Sequence, residues 1–478
     1  MRLFLAVAMI AISLAVLESA RLGVGITRFD VGQTPVTRYQ RPDADGPVVV
    51  MAHGFAGSRQ MMQGYAFPMA RAGYRVFVFD FLGHGRNRRA MSGDVSSVDG
   101  TTRLLVEQTE QVLDAVARGQ TGIGLLGHSM ATDILVRVAA ARTDVGPVVL
   151  ISAFSQLIDA RTPDNLLFVS GEWEPGLRRF ARERLGMVDP DAAEGQTATD
   201  GSVSRRAVVA PYAEHVSVLQ SRRGRAEALA WMDRAHGRSS DIAILPTGWA
   251  ILALLAGIVL AFRPLCRMLP QDHVPGPRLG MRRTIIAVLL PAVLAPLGAV
   301  ALTPDFLPVL VADYLVVHLC AFGCLQLALL RFWHIGFGRL SWASLALLVA
   351  VCALFGTALD RYAANFLPTP ERFLIILVML AGALPCMVAD AVLTSRQGLA
   401  GRFFGRAGFL ASLGIAVALD FEDLFFLILI APVLILFFLV FATMGRDASL
   451  RTGPLGAGIA LGVVLAWALG VSFPLFEA

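Results

Sequence analysis

The chain has 478 residues, too many for one average domain, and its hydrophobic content of 56% exceeds that of most soluble globular proteins. The long apolar runs lie almost entirely after Asp241, so the sequence predicts a soluble domain followed by a membrane domain. The net charge of +5 comes from arginines, since the chain has no lysine, and many of them lie in short loops between apolar runs. Membrane topology explains this placement better than a nucleic-acid partner does, and we expect no nucleic acid to bind.

Residues 1–20 have the pattern of a segment that directs the chain to a membrane. Arg2 is followed by an apolar run at residues 3–17, which fits a signal peptide or a signal anchor. Ser19 and Ala20 are small enough to permit cleavage, so both possibilities stay open. Of the two, we favour an uncleaved anchor.

Residues 21–240 form the predicted soluble domain, in which short β-rich apolar runs alternate with helical stretches from Pro47 onward. This alternation is typical of an α/β fold in which helices wrap a parallel sheet. Strands are predicted at residues 48–52, 75–80, 122–126, 147–152, 166–170 and 207–210. Helices are predicted at residues 59–72, 101–118, 130–142, 175–185 and 222–236, and residues 189–204 are predicted to form a loop.

Glycine-containing polar segments follow three of the predicted strands. The strand at 48–52 leads into H-G-F-A-G (residues 53–57), and the strand at 75–80 leads into D-F-L-G-H-G (residues 80–85). The strand at 122–126 leads into G-H-S-M-A (residues 127–131) and then into a helix. A serine on such a tight turn is lifted out of the sheet, and the helix N-terminus beneath it favours a developing oxyanion.

These segments resemble the α/β-hydrolase family, in which a G-x-S-x-G turn carries the nucleophile. The resemblance covers about residues 45–236 and implies that Ser129 is the nucleophile, although Ala131 stands where the family has its last glycine. It also implies that the backbone amides of Phe55 and Met130 form an oxyanion hole. The segment at 80–85 is similar to the D-x-x-G-x-G segment of esterases and monoacylglycerol-lipase-like hydrolases.

Other residues beside the predicted pocket are expected to shape it. His53, Gly54 and His128 are predicted to line the pocket next to the nucleophile. For His53, His128 and also His84 we expect a structural role in orienting loops rather than a part in catalysis.

A serine hydroxyl is a poor nucleophile until a histidine accepts its proton, and that histidine needs a carboxylate to hold its tautomer. In the family, the acid and then the histidine follow the serine along the chain. The segment G-E-W-E-P (residues 171–175) resembles the family's G-x-x-D-P segment, with Glu174 at the acid position and Glu172 as the alternative. The segment after the last strand points to His215, whereas His236 fits poorly because it lies at a helix end near the membrane domain.

The segment before the acid is too short for a large lid. Only residues 153–165 separate the two strands between which many family members insert a helical cap. We therefore expect a pocket that is open, or covered by small loops or by the membrane itself. Such a pocket suits a lipid-like or acyl substrate.

Eight apolar runs follow the soluble domain, near residues 242–262, 284–303, 308–330, 341–359, 372–393, 407–420, 424–443 and 454–474. Most have about 18–22 residues, the length that a helix needs to cross the hydrocarbon core. The run at 407–420 is short and ends in acidic residues, so a tight hairpin or a re-entrant segment is also compatible with it. Residues 241–478 are thus predicted to be an all-α transmembrane domain of about eight helices.

Arginine placement predicts how these spans are oriented. Arginines are frequent in the loops at residues 263–283, 331–339, 396–406 and 446–451, whereas acidic residues predominate in the opposite loops. By the positive-inside rule, the arginine-rich loops are cytoplasmic. The sequence therefore predicts an integral protein of a bacterial inner (plasma) membrane, with its soluble domain on the extracytoplasmic side.

Polar residues in the apolar half suggest further sites. Cys320 and Cys324 lie one helical turn apart near His318, which is compatible with a metal site. Small packing residues in a membrane helix are the better interpretation, and we predict no metal or cofactor. Asp313, His318 and Asp390 lie in or near spans and are candidates for transport or a proton relay.

The sequence thus predicts a membrane-bound carboxylic ester hydrolase of the esterase or lipase type, with an acyl ester or lipid as substrate and membrane lipids as partners. Peptidase, thioesterase and acyltransferase chemistry use the same residue types and stay open. The alternative is a transporter or membrane sensor whose hydrolase-like ectodomain is a binding module. It is considered because eight C-terminal spans are far more than a membrane anchor requires.

Overall fold

A computed structural model of the protein describes residues 1–94, 98–272 and 278–477. Residues 273–277, within the predicted arginine-rich loop at 263–283, lie outside the described residues. The chain begins with helix α1 (Arg2–Arg21), continues through an α/β unit that extends to about residue 238, and ends in a bundle of long apolar helices.

A nine-stranded sheet forms the centre of the α/β unit. Its strands are β1 Gly25–Val31, β2 Thr34–Gln40, β3 Val48–Ala52, β4 Arg75–Phe79, β5 Ile123–His128, β6 Val145–Ile151, β7 Asn165–Gly171, β8 Thr197–Asp200 and β9 Val203–Ala210. They lie in the order β1-β2-β4-β3-β5-β6-β7-β9-β8. The stretch from β4 to β9 in this order is parallel, and the hairpin β1–β2 and the edge strand β8 pair antiparallel. The segments that follow the parallel strands therefore meet at one edge of the sheet.

Helices cover both faces of this sheet, namely α2 Gln63–Arg71, α3 Arg103–Val116, α4 Met130–Ala141, α5 Pro175–Gly186 and α6 Arg222–Ala235. Side chains of α2 and α6 pack on one face, and those of α3, α4 and α5 pack on the other. Strands between two helical layers are buried on both faces, which explains the uninterrupted apolar sequence of β3.

The six predicted strands are present as β3, β4, β5, β6, β7 and β9, whereas the sequence did not reveal β1, β2 and β8. β1 is exposed or half-buried at every position and carries polar residues, so it lacks an apolar pattern. The prediction of a loop throughout 189–204 was wrong, because β8 lies within it. This short edge strand is stabilised by backbone pairing with β9. Its own polar sequence gives no signal of that pairing.

The helix bundle consists of α7 Thr247–Cys266, α8 Met281–Leu302, α9 Ala312–Phe332, α10 Trp342–Tyr362, α11 Pro370–Ser395, α12 Leu399–Leu419, the short α13 Phe421–Leu424, α14 Leu427–Thr452 and α15 Pro454–Ser472. Together with α1, nine helices in the described part of the chain are long and apolar enough to cross a membrane, and eight of them follow the α/β unit as predicted. The run at 407–420 belongs to a 21-residue helix, α12, rather than to a tight hairpin or a re-entrant segment. The helix there begins earlier, at Leu399, and its two arginines at 402 and 406 give it the lowest mean hydropathy of the nine, 1.4.

The two ends of the bundle have different contacts. At one end, the α/β unit contacts the segments that follow α10 and precede α14, and the chain after α15. At the other end, the arginine-rich segments contact one another: Arg451 donates hydrogen bonds to the carbonyl of Leu269, and Gln397 donates one to Thr284. The arginine-rich loops thus lie at the end away from the α/β unit.

Candidate active site

The segment G-H-S-M-A forms a tight turn between β5 and α4. Ser129 has a positive φ of 52° with ψ of −117°, and its N–H donates a hydrogen bond to the carbonyl of Ile151 (2.9 Å). Such a conformation is strained for a residue with a side chain, and it is kept where the surrounding structure fixes it. A Cβ on Gly127 would lie 2.7 Å from a methyl group of Leu135 and 3.1 Å from the carbonyl oxygen of Ala131, so Leu135 would have to shift to admit a larger residue. Ala131, in contrast, is fully buried in the core, where its methyl group is accommodated.

Ser129, His215 and Glu174 are brought together at the carboxyl edge of the sheet. The Oγ of Ser129 lies 2.8 Å from Nε2 of His215, and Nδ1 of His215 lies 2.6 Å from Oε1 of Glu174. A carboxylate at Nδ1 favours the tautomer with its proton on Nδ1, which leaves Nε2 as an acceptor for the serine proton. We call these three contacting side chains the relay. The His215 side chain is 46% exposed, so a substrate can reach the relay from solvent.

The carboxylate of Glu174 is held on its other oxygen as well. Oε2 accepts hydrogen bonds from the Ser152 hydroxyl (2.8 Å) and from the Gly171 amide (2.6 Å). Burial would raise the pKa of Glu174, but the hydrogen bonds that it accepts outweigh burial and hold the pKa below its ordinary value. Sequence reasoning missed Ser152. Ser152 ends a predicted parallel strand, at the same edge of the sheet as the other polar residues. That position could have marked it as a candidate for the site.

The alternative residues have other partners. Glu172 accepts a hydrogen bond from the amide of Tyr212 (2.7 Å). The ring of His236 bonds the carbonyls of Met232 and Gly122 at 2.8 Å each, at the end of α6. Neither residue contacts the relay. The geometry therefore favours Glu174 over Glu172 as the acid and His215 over His236 as the base.

The loop after β3 approaches the serine closely. A Cβ on Gly54 would lie 2.9 Å from Nδ1 of His128 and 3.0 Å from Cβ of Ser129, so only glycine fits there. The amides of the next residue, Phe55, and of Met130 donate no hydrogen bond within the described part of the chain. Both are therefore free to donate to an oxyanion on a substrate bound at Ser129.

Two further histidines hold the backbone around this loop. Nε2 of His53 accepts a hydrogen bond from the Phe81 amide (3.1 Å), so its Nδ1–H donates to the Gly54 carbonyl (2.8 Å). Nε2 of His128 donates to the carbonyl of His215 (2.8 Å). Burial lowers the pKa of His53 below its ordinary value and lowers that of His128 to about 4, so both rings are neutral near pH 7. Both rings connect loops of the site, and neither lies between Ser129 and Glu174.

His84 lies behind the same loop. Its ring packs against Phe55 and His53, with ring centroids 5.5 and 5.3 Å away, and its Nδ1 bonds the carbonyl of Leu82 (2.7 Å). Burial, reinforced by the neighbouring His53, lowers the pKa of His84 to about 3. Asp80 opens the same segment and accepts a hydrogen bond from the amide of Arg59 (2.7 Å), which joins this segment to the loop after Gly57.

Large apolar side chains are exposed in the segments that follow the strands at this edge of the sheet. Four of them are more than half exposed, namely Phe154, Trp173, Tyr212 and Val216, and each belongs to a segment that follows a strand. On the other side, the ring of Phe55 packs on Phe426 of the helix bundle at 5.6 Å. Phe426 continues a row of rings in edge-to-face contact with Phe425 and Phe421, and we name these three residues the aromatic arm. No segment of the α/β unit in the described residues forms a helical cap over the serine, as the short segment at 153–165 predicted.

The polar residues within the bundle have mutual partners. His318 bonds the Tyr314 hydroxyl (2.8 Å) and the Ser412 hydroxyl (3.0 Å), rather than pointing to a metal with Cys320 and Cys324. Asp390 pairs with Arg406 (3.2 Å), and Asp313 accepts a hydrogen bond from the Phe306 amide (3.1 Å). The residues that the structure describes contain no group of three or more His, Cys, Asp or Glu side chains placed to hold a metal ion.

The family model for the alpha/beta hydrolase fold matches residues 47–269, which confirms the predicted fold of the N-terminal part of the chain. A search of curated proteins finds no match. Among solved structures, a CIB-like hydrolase from Thermoplasma acidophilum is similar, with 15% identity and a TM-score of 0.34 over 45% of this chain and 98% of that one. A hypothetical protein from Pseudomonas aeruginosa has 12% identity and a TM-score of 0.34 over 45% and 94%. A mutant epoxide hydrolase from Solanum tuberosum has 21% identity and a TM-score of 0.24, and the match spans 28% of this chain and 41% of that enzyme.

Proposed function

We propose that this protein is a membrane-bound serine hydrolase that cleaves carboxylic esters with lipid-like acyl groups. The observation that carries the proposal is the continuous relay from Ser129 through His215 to Glu174, with contacts of 2.8 and 2.6 Å, at an opening on the surface. The α/β-hydrolase fold supports hydrolysis in general, and the residues at the relay support acyl transfer to a serine.

In the proposed reaction, Oγ of Ser129 attacks the carbonyl carbon of the ester while Nε2 of His215 takes the hydroxyl proton. The carbonyl oxygen becomes an oxyanion, and the amides of Phe55 and Met130 donate hydrogen bonds to it. When the tetrahedral intermediate collapses, the bond to the alkoxy oxygen breaks and His215 donates the proton to the departing alcohol. A water molecule then attacks the acyl-enzyme by the same route, and the carboxylic acid leaves. Glu174 keeps the His215 ring oriented and stabilises its charged form.

Two features support a lipid-like substrate. Exposed apolar side chains lie in the segments that follow the strands at this edge of the sheet, and such side chains are costly in water unless they meet an apolar partner. The loop after β3 (residues 53–57), which carries Phe55, is called the oxyanion loop. The aromatic arm connects it to helices that are apolar enough to cross a membrane, so an acyl chain can pass from the bilayer edge to the serine along apolar side chains. The arm thus takes the place that a helical cap has in many members of the family.

We further propose that the bundle spans a bacterial inner membrane with the α/β unit on the extracytoplasmic side. The arginine-rich segments lie at the far end of the bundle, which by the positive-inside rule supports this orientation. A protease added to intact spheroplasts should then cleave the exposed loop at residues 189–196. Cleavage only after lysis of the cells would contradict the orientation.

The test of the hydrolase proposal is labelling of the full-length protein in membranes by a fluorophosphonate probe. We expect the wild type to be labelled, Ser129→Ala to lose labelling, and Ser155→Ala to keep it, because the Ser155 hydroxyl is engaged with Asp133 (2.6 Å) away from the relay. A correctly folded wild type that stays unlabelled would exclude an activated serine. The transporter or sensor alternative would then become the leading hypothesis.

The substrate class is tested separately by comparing hydrolysis of bilayer lipids with hydrolysis of a soluble short-chain ester. We expect Phe426→Ala to lower the rate on bilayer lipids about tenfold and to leave the short-chain rate within a factor of two, since one large apolar contact is worth ~1.5–3 kcal/mol. Equal losses on both substrates would show that Phe426 only supports the oxyanion loop, and would count against delivery along the arm.

A further inference from the structure

A cavity separate from the relay opens between the α/β unit and three membrane helices. It has a volume of about 430 Å³ and is formed by α1, α7 and α10 together with the hairpin β1–β2 and the turn at Arg59–Met62. We name it the arginine groove, after the four arginines that line its upper part, Arg21, Arg28, Arg59 and Arg361. Its size falls in the range of ~300–1,000 Å³ that is usual for sites of small organic ligands.

The lower part of the groove is apolar and open to the side. Leu14 of α1 and Leu354 of α10 line it and are 37% and 56% exposed, so they face the surroundings of the bundle. Ile10 lies three helical turns below Arg21 in α1, which is about 16 Å at 1.5 Å per residue. This depth matches one leaflet, since the whole hydrocarbon core is ~30 Å thick. The groove therefore has the dimensions of a lipid acyl chain that stands in one leaflet.

The upper part of the groove carries more guanidinium groups than carboxylates. Arg21 and Arg361 share a single carboxylate, Glu18, at 3.7 and 2.9 Å. Arg59 has Asp80 at 3.6 Å. Arg28 is exposed, and its guanidinium group has no hydrogen-bond or ion-pair partner in the described part of the chain.

Asp360 is the one carboxylate among the described residues that line the groove, and it does not offset these positive charges. Asp360 forms an ion pair of 2.6 Å with Arg86, which lies outside the groove. The guanidinium groups of Arg28 and of the Arg21–Arg361 pair are therefore left in excess at the level where the helices end. Guanidinium groups bind phosphate by two parallel hydrogen bonds, and an anionic headgroup at this depth would supply the missing counter-charge.

We propose that the arginine groove binds one anionic phospholipid of the leaflet that contacts the α/β unit. Its phosphate lies among Arg21, Arg28 and Arg361, and one acyl chain packs along Leu14 and Leu354. The lipid fills the space between the hairpin β1–β2 and the bundle, and so attaches the α/β unit to the membrane surface. This inference rests on insertion of the bundle in a membrane and does not depend on catalysis at Ser129.

The experiment uses the full-length protein, delipidated in a neutral detergent, with native mass spectrometry to count bound lipids. Phosphatidylglycerol is compared with phosphatidylcholine of the same acyl chains. We expect one phosphatidylglycerol to bind at least tenfold more tightly than phosphatidylcholine, and Arg28→Gln to remove most of that preference. Loss of one charge-assisted hydrogen bond has an effect of about tenfold in affinity. Arg28→Lys should retain part of the preference.

Two controls make the result specific. Arg179→Gln removes the same charge from an exposed position on α5, outside the groove, and should leave binding unchanged. Leu354→Trp, at a side chain exposed to the surroundings, should fill the acyl portion and weaken phosphatidylglycerol binding without changing the melting temperature of the lipid-free protein. Equal binding of the two lipids, or full binding in Arg28→Gln and Leu354→Trp, would overturn the proposal. Competition by millimolar inorganic phosphate would also overturn it, because the site would then recognise a free anion rather than a lipid.

Discussion

Arg372 of α11 donates a hydrogen bond to the carbonyl oxygen of Gly83 in the α/β unit, at 2.7 Å. The guanidinium group is almost fully buried, and it also donates to the carbonyl of Phe473 in the segment after α15. Gly83 belongs to the segment at 80–85, which packs behind the oxyanion loop through His84. A side chain of the helix bundle thus fixes the backbone that supports the candidate active site.

Replacement of Arg372 by Met should destabilise the protein, because the buried carbonyl of Phe473 would lose its donor and that of Gly83 would keep only the amide of Leu475. We expect a loss of about 3 kcal/mol in the free energy of unfolding, measured as a lower thermal midpoint in detergent. Arg88→Met is the matched control, since Arg88 also joins the two parts of the protein, through Glu371, but in an exposed ion pair. If both substitutions lowered the thermal midpoint equally, the stabilising effect of Arg372 would not come from its burial.

Glu174→Gln should abolish most of the activity while the protein remains folded. The amide cannot stabilise a positively charged His215 and does not favour the tautomer that the relay requires, so kcat should fall by about 10³–10⁴. Glu172→Gln, two residues earlier, should change kcat by less than about threefold, because Glu172 holds only the amide of Tyr212. If Glu172→Gln were the more harmful change in steady-state assays, the assignment of the acid would have to be reversed.

Gly54→Ala should affect the reaction much more than the fold. The added methyl group would meet His128 and Ser129 at about 3 Å, which forces the oxyanion loop away from the serine. We expect kcat to fall about 10²–10³-fold, the effect of losing one oxyanion-hole donor. Gly186→Ala serves as the control, since a Cβ there meets nothing within 4 Å. Unchanged kcat in Gly54→Ala would show that the loop is free to move and that the Phe55 amide is not a fixed donor.

The stability of the protein should fall in mild acid because of its buried histidines. The pKa of His84 is lowered to about 3 and that of His128 to about 4, so below pH 6.5 the unfolded chain takes up protons that the folded chain does not. Each of these histidines should reduce the free energy of unfolding by ~1.4 kcal/mol per pH unit as the pH falls from 6.5 towards 4, with no such dependence above pH 7. His84→Asn should flatten the dependence of the thermal midpoint on pH, and an unaltered slope would contradict this account.

Much of the fold could be predicted because its signals are local. The apolar runs of β3 to β7 reflect burial on both faces of the sheet, and the long apolar helices have the length that the thickness of a bilayer requires. The meeting of Ser129, Glu174 and His215 follows from the chain order of the segments after parallel strands. β1 and β8 have no such signal, since an exposed edge strand needs backbone pairing rather than an apolar sequence.

Contacts between the two parts of the chain could not be predicted from the sequence. The pair of Phe55 and Phe426 joins residues that are far apart in the chain, and nothing in either local sequence marks the other as its partner. The same holds for Arg372, which looked like an ordinary arginine at the start of an apolar run. Such contacts depend on how the edge of the sheet and the end of the bundle fit together in three dimensions. No local pattern in a single sequence predicts that fit.

The segment after α15 has a consequence for how the protein is made. The amide of Leu475 donates a hydrogen bond to the Gly83 carbonyl (2.9 Å), and its carbonyl accepts one from the Met91 amide (2.8 Å). Phe476 lies in the core of the α/β unit. These residues leave the ribosome only after the entire bundle has been synthesised. In the proposed orientation the α/β unit crosses the membrane before this segment is made, so its core is completed only after α15 has been synthesised.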